Sequence, residues 1–166
     1  NSTDWDAQPS ISPDGKTLFF SSTRPGGQGG KDLWFTSRLP GGKWTVPENL
    51  GPGINTRGEE QTPFLHPDGQ TLYFTSDGLP GMGENDLYFV RKNEDGSWGV
   101  PQNLGYPVNT KVSEGTLMVS LDGKTAYFAA IRPGSNGSID IYAFDLPAHA
   151  RPQPVTYAKA KVTDAS

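Results

Sequence analysis

The sequence has 166 residues, a formal net charge of −4 and no cysteine, and these properties exclude several classes of protein. The length fits one ordinary domain with a core of its own. The longest basic cluster is Arg91-Lys92, so we do not expect nucleic-acid binding. The sequence contains no run of about 18 apolar residues, so it predicts no membrane-spanning helix. The lack of cysteine excludes disulfides and thiolate zinc sites.

Glycine and proline recur in register along the chain, and the register defines a repeat of 54 residues. Asp14-Gly15 returns as Asp68-Gly69 and as Asp122-Gly123. The same step relates Asn1 to Asn55 and Asn109, and Trp44-Thr45-Val46-Pro47-Glu48-Asn49-Leu50-Gly51 to Trp98-Gly99-Val100-Pro101-Gln102-Asn103-Leu104-Gly105. No insertion is needed over most of the chain, so chance does not explain the pattern.

The first repeat predicts four short strands. Tight turns separate them, because proline presets φ and glycine supplies the positive φ that such turns require. Pro47 suits an outer edge strand, since proline cannot donate to a sheet ladder. The predicted strands, in chain order, are Pro9–Ser12, Thr17–Ser22, Leu33–Ser37 and Lys43–Val46.

The middle strands are apolar at consecutive positions, which predicts that both faces of each sheet are buried. A β-sandwich would alternate apolar and polar residues more cleanly, and a β-solenoid would have shorter coils. We therefore predict an all-β fold, a β-propeller of three four-stranded antiparallel blades. The blades cover about 1–54, 55–108 and 109–146.

Three blades cannot close a ring, because propellers use about 4–8 blades. We expect the chain to be half of a six-bladed ring. Two large apolar faces, around Leu18/Phe20 and Phe128/Tyr142, would otherwise lie open. Either upstream blades of the same parent or a second copy of the chain would cover them.

Two motifs carry a resemblance to known families. The string from Ser12 to Ser22, followed by Lys31-Asp32-Leu33-Trp34, resembles the WD-like propeller repeat of TolB-type periplasmic proteins. The longer unit, Trp44 to Gly51 followed by Ile54-Asn55-Thr56, resembles OmpA-family cell-envelope proteins. In these a propeller precedes a regulatory-like module and a peptidoglycan-binding domain. The resemblance implies a protein or peptide partner and a location in the periplasm, in association with the outer membrane.

The end of the chain and the third repeat qualify this resemblance. Residues 147–166 are similar to a linker followed by the truncated start of the regulatory-like β module. The peptidoglycan-binding domain has no counterpart in this sequence, so its function is not attributed to the chain. In the third repeat Leu121 replaces a proline, Ala129-Ala130 replace Ser/Thr, and the Trp…Asn-Leu-Gly strand is missing. That puts the outer edge of the third blade in doubt.

Carboxylates recur at the start of each innermost strand, near the mouth of the central channel. The connections place them with the loops that join second to third strands, and each blade to the next. One interpretation is structural, and the other is a ring that attracts a cation or a basic peptide. Trp5 breaks the repeat, since Glu59 and Ser113 stand at its equivalents. The candidate partner-binding residues on this channel-mouth face are Asp6, Glu60, Glu114, Asp4, Glu59, Trp5, Arg24 and Arg132.

Other repeated residues predict structural roles. The Asp-Gly pairs form turns, and the aspartates that open the third strands accept hydrogen bonds from turn N–H groups. Trp34, Trp44 and Trp98 are expected in the core between blades. The structural residues are Asp14, Gly15, Asp68, Gly69, Asp122, Gly123, Asp32, Asp86 and Asp140.

Catalysis finds little support in the sequence. His66 lies at a turn and His149 in the tail, so no histidine pair is placed to hold a metal. The acidic residues follow the repeat, whereas a catalytic pair should break it. We predict a non-enzymatic scaffold of the bacterial cell envelope, without a metal or cofactor, that binds a protein or peptide through the channel-mouth face. The alternatives are a sialidase- or glycosidase-like propeller, a propeller that gates a peptidase domain, and a carbohydrate-binding module.

Overall fold

The computed structural model describes residues 2–132, 134 and 138–158. These residues form an all-β fold, and the long strands recur at steps of 54 residues. No helix among them is long and apolar enough to cross a membrane. The strands are β1 Asp6–Ile11, β2 Thr17–Ser22, β3 Asp32–Ser37, β4 Glu48–Asn49, β5 Glu60–Leu65, β6 Thr71–Ser76, β7 Asp86–Arg91, β8 Gln102–Asn103, β9 Glu114–Val119, β10 Thr125–Ala130 and β11 Asp140–Asp145.

The strands form three antiparallel sheets, one for each repeat. Blade 1 has the order β1-β2-β3-β4 and blade 2 the order β5-β6-β7-β8. The described part of blade 3 has three strands, in the order β9-β10-β11. The propeller prediction is confirmed, with four strands in the first two blades. The missing outer strand of blade 3 agrees with the departure of the third repeat from the pattern.

The outer strands differ from the prediction. Instead of a strand over Lys43–Val46, a bridge joins Arg38 to Trp44, and β4 begins only at Glu48. Between them, the Thr45 side chain takes part in the pairing, because its Oγ1 accepts the Ser37 N–H at 3.0 Å. Pro47 follows without an N–H to donate. Proline thus divides the outer strand into two short pairings.

Each innermost strand begins earlier than predicted, because it contains a bulge. The register between β1 and β2 shifts between Ala7 and Ser10, and β5 shifts in the same way. Gln8 and Thr62 have φ values of 56° and 52°, which are uncommon for non-glycine residues. The Thr62 N–H donates to Gln8 Oε1 at 3.0 Å. The two bulges therefore join neighbouring blades beside the channel.

The core lies between the blades, so each blade has two apolar faces. The side of a blade that packs on the following blade is called its trailing face. The side that packs on the preceding blade is called its leading face. In blade 1, Phe19 and Leu33 belong to the trailing face, and in blade 2, Leu72 and Phe74 belong to the leading face; all four are buried in one cluster. A second cluster joins Tyr73, Leu87 and Phe89 of blade 2 to Leu117, Ala126 and Phe128 of blade 3. Two-sided burial is thus confirmed for blade 2.

One of the two open faces predicted from the sequence is wrong. Phe128 is buried against blade 2, and Tyr142 packs against the same cluster. The open side of blade 3 is its trailing face, which carries Tyr127 and Ile141. The error arose because adjacent strand residues point to opposite sides of a sheet, so the face must be assigned residue by residue.

The residues predicted to form a linker lie against the propeller. Tyr73 Oη donates to the Ala150 carbonyl at 2.6 Å, and the Gln153 N–H donates to Asp68 Oδ2 at 3.0 Å. The Val155 N–H donates to the Leu121 carbonyl at 2.8 Å. Residues 147–155 therefore lie against blade 2 and against the turn between β9 and β10 of blade 3. The resemblance to the regulatory-like module covers residues 154–164, of which 159–164 lie outside the described residues.

Candidate functional site

The channel-mouth face is built from two sets of loops. One set joins second to third strands within a blade, and the other joins each blade to the next. Backbone hydrogen bonds tie the two sets together: the Glu60 N–H donates to the Lys31 carbonyl at 2.7 Å, and the Glu114 N–H to the Asn85 carbonyl at 2.8 Å. The described loops of this face are 2–5, 23–31, 50–59, 77–85, 104–113 and the described part of 131–139.

Glu60 is fully buried and closes the turn between blades 1 and 2. Its Oε1 accepts hydrogen bonds from Ser76 Oγ at 2.6 Å and Thr56 Oγ1 at 2.8 Å. Its Oε2 accepts the Thr56 N–H at 2.7 Å. Burial, as the largest influence, raises the pKa of Glu60 although these hydrogen bonds oppose the change. The carboxylate therefore joins Thr56 of the inter-blade turn to Ser76 at the end of β6.

Asp6 and Glu114 accept similar hydrogen bonds at the equivalent positions, and each also forms an ion pair with an arginine. Asp6 Oδ1 accepts from Arg24 Nη2 at 2.7 Å, and Glu114 Oε1 accepts from Arg132 Nη1 at 2.9 Å. Ser2 and Thr110, at the position of Thr56, also donate to these carboxylates. The side chains of Asp6 and Glu114 are 14% and 0% exposed. The structure therefore supports the structural interpretation of the three repeated carboxylates and does not offer them to a partner.

The pKa values of the three repeated acids shift in different directions. Burial alone would raise the pKa of Asp6, but hydrogen bonds from Ser22, Arg24 and Ser2 lower it far below its usual range. Burial raises the pKa of Glu114, and Thr110 and Arg132 oppose that change. The pKa at this repeat position is thus lowered in blade 1 and raised in blades 2 and 3.

Gly78 explains why blade 2 has no arginine at this position. A Cβ at Gly78 would lie 1.8 Å from Thr56 Oγ1, so no side chain fits there. In the other two blades the guanidinium also covers an aromatic ring. Arg24 lies 4.7 Å from the Phe20 ring centroid, and Arg132 lies 5.2 Å from that of Phe128. Both arginines therefore contact a carboxylate and an aromatic ring of their own blade.

The repeat-breaking Trp5 is 40% exposed on the channel-mouth face. Lys31 Nζ lies 5.3 Å from its ring centroid and forms an ion pair of 2.8 Å with Glu59 Oε2. Asp4 is exposed beside Trp5. The structure thus brings Trp5, Lys31 and Glu59 into one accessible cluster.

Five further apolar side chains are exposed on this face, and the sequence reasoning missed them. All of them break the repeat: polar residues, glycine or proline stand at the equivalent positions of at least one other blade, such as Gln28 for Met82 and Pro52 for Tyr106. Deviation from the repeat had already singled out Trp5, and the same signal would have found the others. They are Met82, Tyr106, Val112, Ile131 and Ile139.

The repeated aspartates accept backbone hydrogen bonds where the structure describes their partners. Asp32 accepts the backbone N–H groups of Gln28 and Gly29, at 2.5 and 3.1 Å. Asp86 accepts that of Met82. In the Asp-Gly turns, Asp14 and Asp122 accept from the second residue after them, Lys16 and Lys124, and Asp68 accepts from Gln70 in the same way. Gly15, Gly69 and Gly123 all have positive φ. Asp140 opens β11 as predicted.

The sequence quoted Asn49 and Asn55 as repeats but gave them no role, and both prove structural. Asn49 Nδ2 donates to Asp32 Oδ2 at 2.7 Å, and Asn55 Nδ2 donates to Asn49 Oδ1 at 2.9 Å. Asn103 and Asn109 repeat this chain of bonds from Asp86 in blade 2. The network fixes the outer strand to the loop that enters the next blade. Asn1, the first member of the series, lies outside the described residues.

The three repeated tryptophans have different surroundings. Trp98 meets Phe19 of blade 1 edge-on, with ring centroids 6.0 Å apart, so its predicted place between blades is confirmed. Trp34 is buried, but on the leading face of blade 1 beneath Arg24, not between two blades. Trp44 is 41% exposed. Trp34 is therefore buried as predicted, but neither Trp34 nor Trp44 lies between two blades of this chain, because no described residue forms a blade on that side.

The described residues contain no group of three or more His, Asp or Glu side chains placed to hold a metal ion. His66 is buried and crosses between blades: its Nε2 lies 3.1 Å from the Ser120 carbonyl, while Nδ1 accepts the Asp68 N–H. With Nδ1 as an acceptor, Nε2 is the ring nitrogen that donates to the Ser120 carbonyl. His66 therefore links the turns of blades 2 and 3.

Comparison with known proteins supports the fold. The chain is similar to TolB from Acinetobacter baumannii, with 22% identity and a TM-score of 0.56. It is also similar to a solved structure assigned as TolB from Agrobacterium tumefaciens, with 18% identity and the same TM-score. The three sheets are propeller blades. At these identities the likeness shows the fold alone.

These matches cover most of this chain and less than half of the other proteins. The first covers 84% of this chain and 29% of the Acinetobacter protein, and the second covers 88% and 47%. A puromycin hydrolase gives a TM-score of 0.42, which carries no argument. No protein-family model matches the chain, and no curated protein matches it.

Proposed function

We propose that the chain is a non-enzymatic scaffold of the bacterial cell envelope that binds a protein partner through the channel-mouth face. The observation that carries this proposal is the group of apolar side chains exposed there, all of which break the repeat. Residues that follow the repeat serve the blades, whereas these have no such role. An exposed aromatic and aliphatic group bordered by charged side chains is typical of a protein-binding surface.

Trp5 and Tyr106 are the residues we expect to anchor the partner. Aromatic side chains with a polar atom supply much of the energy of protein interfaces. Tyr106 is the most exposed of the apolar residues on this face. Asp4, Arg57, Glu59 and Lys111 lie on loops of the same face and would set the orientation of the partner. This replaces the ring of repeated carboxylates as the basis for binding.

The chemistry of the site gives the enzyme alternatives no support. A glycosidase needs two accessible carboxylates that can exchange protons with a substrate. Asp6, Glu60 and Glu114 instead accept hydrogen bonds from serine, threonine and arginine of the same chain. The cell-envelope and periplasmic location rests on the resemblance to TolB-type repeats and on the likeness in fold to the TolB structures.

A comparison of two surface variants tests the proposal. The immobilised chain is exposed to a periplasmic extract of its source bacterium, and retained proteins are identified by mass spectrometry. We expect the double variant Trp5→Ala and Tyr106→Ala to lose a partner that the unaltered chain retains. The matched control, Leu39→Ala and Leu121→Ala, changes two exposed apolar residues on the opposite side and should retain it.

Two results would contradict the proposal. Equal retention by all three proteins would show that the channel-mouth face does not bind the partner. Competition by a soluble oligosaccharide, or hydrolysis of a chromogenic glycoside that the Glu60→Gln variant abolishes, would favour the carbohydrate or glycosidase alternative.

A further inference from the structure

Equivalent residues on the trailing faces are buried in blades 1 and 2 and exposed in blade 3. Phe19 and Leu33 in blade 1, and their equivalents in blade 2, are buried by the blade that follows. In blade 3 the equivalent residues, Tyr127 and Ile141, are 48% and 80% exposed. Met118 is exposed on the same side. The trailing face of blade 3 is therefore an open copy of a surface that is closed twice within this chain.

The leading face of blade 1 is open in the complementary way. In blades 2 and 3 this face is covered by the trailing face of the blade before it. In blade 1 it borders a cavity of about 440 Å³ lined by Leu18, Phe20, Arg24, Thr36 and Trp44 among others. Arg24 does not block this face, because Arg132 holds the same position over Phe128 where blade 3 packs on blade 2.

The contacts between blades 1 and 2 specify how the two open faces would meet. Trp98, in the outer part of blade 2, packs edge-on against Phe19. The repeat equivalents of these residues are Trp44 and Tyr127, which are both exposed and lie at opposite ends of the chain. The inter-blade packing that occurs inside the chain thus has one unmatched half at each end.

The backbone shows the same relationship. Inter-blade hydrogen bonds join the Lys31 carbonyl to the Glu60 N–H and the Asn85 carbonyl to the Glu114 N–H. The next pair in this series is the Ile139 carbonyl and the Asp6 N–H. They belong to blade 3 and blade 1, so in a head-to-tail arrangement they would face each other between two copies.

We propose that two copies of this chain associate head to tail and close a six-bladed ring with two-fold symmetry. The trailing face of blade 3 in one copy packs on the leading face of blade 1 in the other, and Tyr127 meets the partner copy's Trp44. Two copies supply six blades, within the range of about 4–8 that closes a propeller. Both interfaces continue the blade-to-blade packing already present, and no open face remains.

Sedimentation equilibrium of two lysine variants tests the dimer. The unaltered chain should show twice its mass of 17.9 kDa. Ile141→Lys places a charge on the trailing face of blade 3 and should reduce the mass to that of a monomer. Val100→Lys is the matched control, because Val100 is 81% exposed on the outer rim, and it should remain a dimer. Circular dichroism should show that both variants are folded.

Thiol cross-linking tests the head-to-tail orientation, and the chain has no cysteine to interfere. A mixture of Trp44→Cys and Tyr127→Cys chains, treated with a short bismaleimide, should form a covalent dimer, whereas each variant alone should not. A covalent dimer from either variant alone would show that like faces pair and would overturn the proposal. So would a monomeric unaltered chain, as expected if blades of a longer polypeptide cover these faces, or a dimer that survives Ile141→Lys.

Discussion

The side chain of Asn55 pairs with both backbone groups of Leu33, as a residue of a neighbouring strand would. Its Oδ1 accepts the Leu33 N–H at 2.8 Å, and its Nδ2 donates to the Leu33 carbonyl at 2.9 Å. Asn109 makes the same pair of bonds with Leu87, at 2.8 and 2.9 Å. An amide matches the donor and acceptor of a peptide group, which a carboxylate or a hydroxyl cannot do at both atoms. This explains why the repeat has asparagine at this position.

Replacing Asn55 with alanine should therefore destabilise the fold. The buried Leu33 N–H would lose its partner, whereas the Leu33 carbonyl would keep the Leu50 N–H at 3.1 Å. A buried donor without a partner costs about 1–3 kcal/mol, so we expect the free energy of unfolding to fall by about that amount in urea denaturation. Asn93→Ala is the control, since Asn93 is exposed and its side chain donates to the Ser97 hydroxyl on the surface. Similar losses in both variants would show that the bonds to Leu33 do not carry the effect.

Glu60 should make the stability of the protein depend on pH. Because burial raises its pKa above the ordinary value of 4.5, the folded state binds the proton more tightly than the unfolded state. Its contribution to stability is therefore greatest at low pH and falls as the pH rises from 4.5 through the raised pKa. Glu60→Gln removes this dependence, so the stability of the variant relative to the unaltered chain should increase with pH.

Asp6→Asn supplies the matched comparison with the opposite sign. The pKa of Asp6 is lowered, so its stabilising effect is present above the ordinary value of 3.8 and is lost as the pH falls below it. Asp6→Asn should thus be less stable than the unaltered chain at neutral pH, and the difference should shrink in acid. Urea unfolding at a series of pH values measures both variants. Parallel curves for the two would contradict the assignment.

Much of the fold could be predicted because each blade repeats the same local chemistry. Strand β2 begins and ends as predicted, since Asp14-Gly15 fixes the turn before it and the glycine-rich loop ends it. The assignment of faces failed for Phe128 and Tyr142, which lie within runs of consecutive apolar residues. There the composition is the same for either face, and only the register of the strand distinguishes them.

The candidate site was predicted less well because the same residue types serve structure and binding. A repeated carboxylate at a channel mouth fits a partner site. The hydroxyls that enclose Glu60 belong to Thr56 and Ser76, and nothing in the sequence distinguishes these two residues from other threonines and serines. Their convergence depends on a turn between blades and becomes visible only in three dimensions. Trp5 was identified because it breaks the repeat, a signal that does not depend on the fold.

Tyr73 should hold residues 147–155 against blades 2 and 3. Its hydroxyl is buried and donates to the Ala150 carbonyl at 2.6 Å, and burial raises its pKa. Tyr73→Phe leaves that carbonyl without its partner, which should cost about 1–3 kcal/mol. Hydrogen exchange should increase over residues 148–155, whereas Tyr157→Phe, at an exposed tyrosine, should leave it unchanged. Unchanged protection in Tyr73→Phe would show that other contacts hold this segment.

Trp34 and Trp44 provide the last prediction, because they lie on the same face with different burial. Trp34 is buried beneath Arg24, whose guanidinium carbon lies 5.3 Å from its ring centroid, and Trp44 is partly exposed at the edge of the cavity. Removing a buried tryptophan costs about 3–5 kcal/mol, whereas changes at exposed positions usually cost about 0.5 kcal/mol.

Both substitutions should be made in the Ile141→Lys background, so that association of two copies does not contribute to stability. Trp34→Ala should then lower the free energy of unfolding by about 3–5 kcal/mol. Trp44→Ala should lower it by about 1 kcal/mol or less, because much of its ring is already in contact with water. Urea denaturation followed by circular dichroism measures both without relying on tryptophan fluorescence. Equal losses would mean that Arg24 and its blade do not bury Trp34 in solution, and the leading face of blade 1 would need a different description.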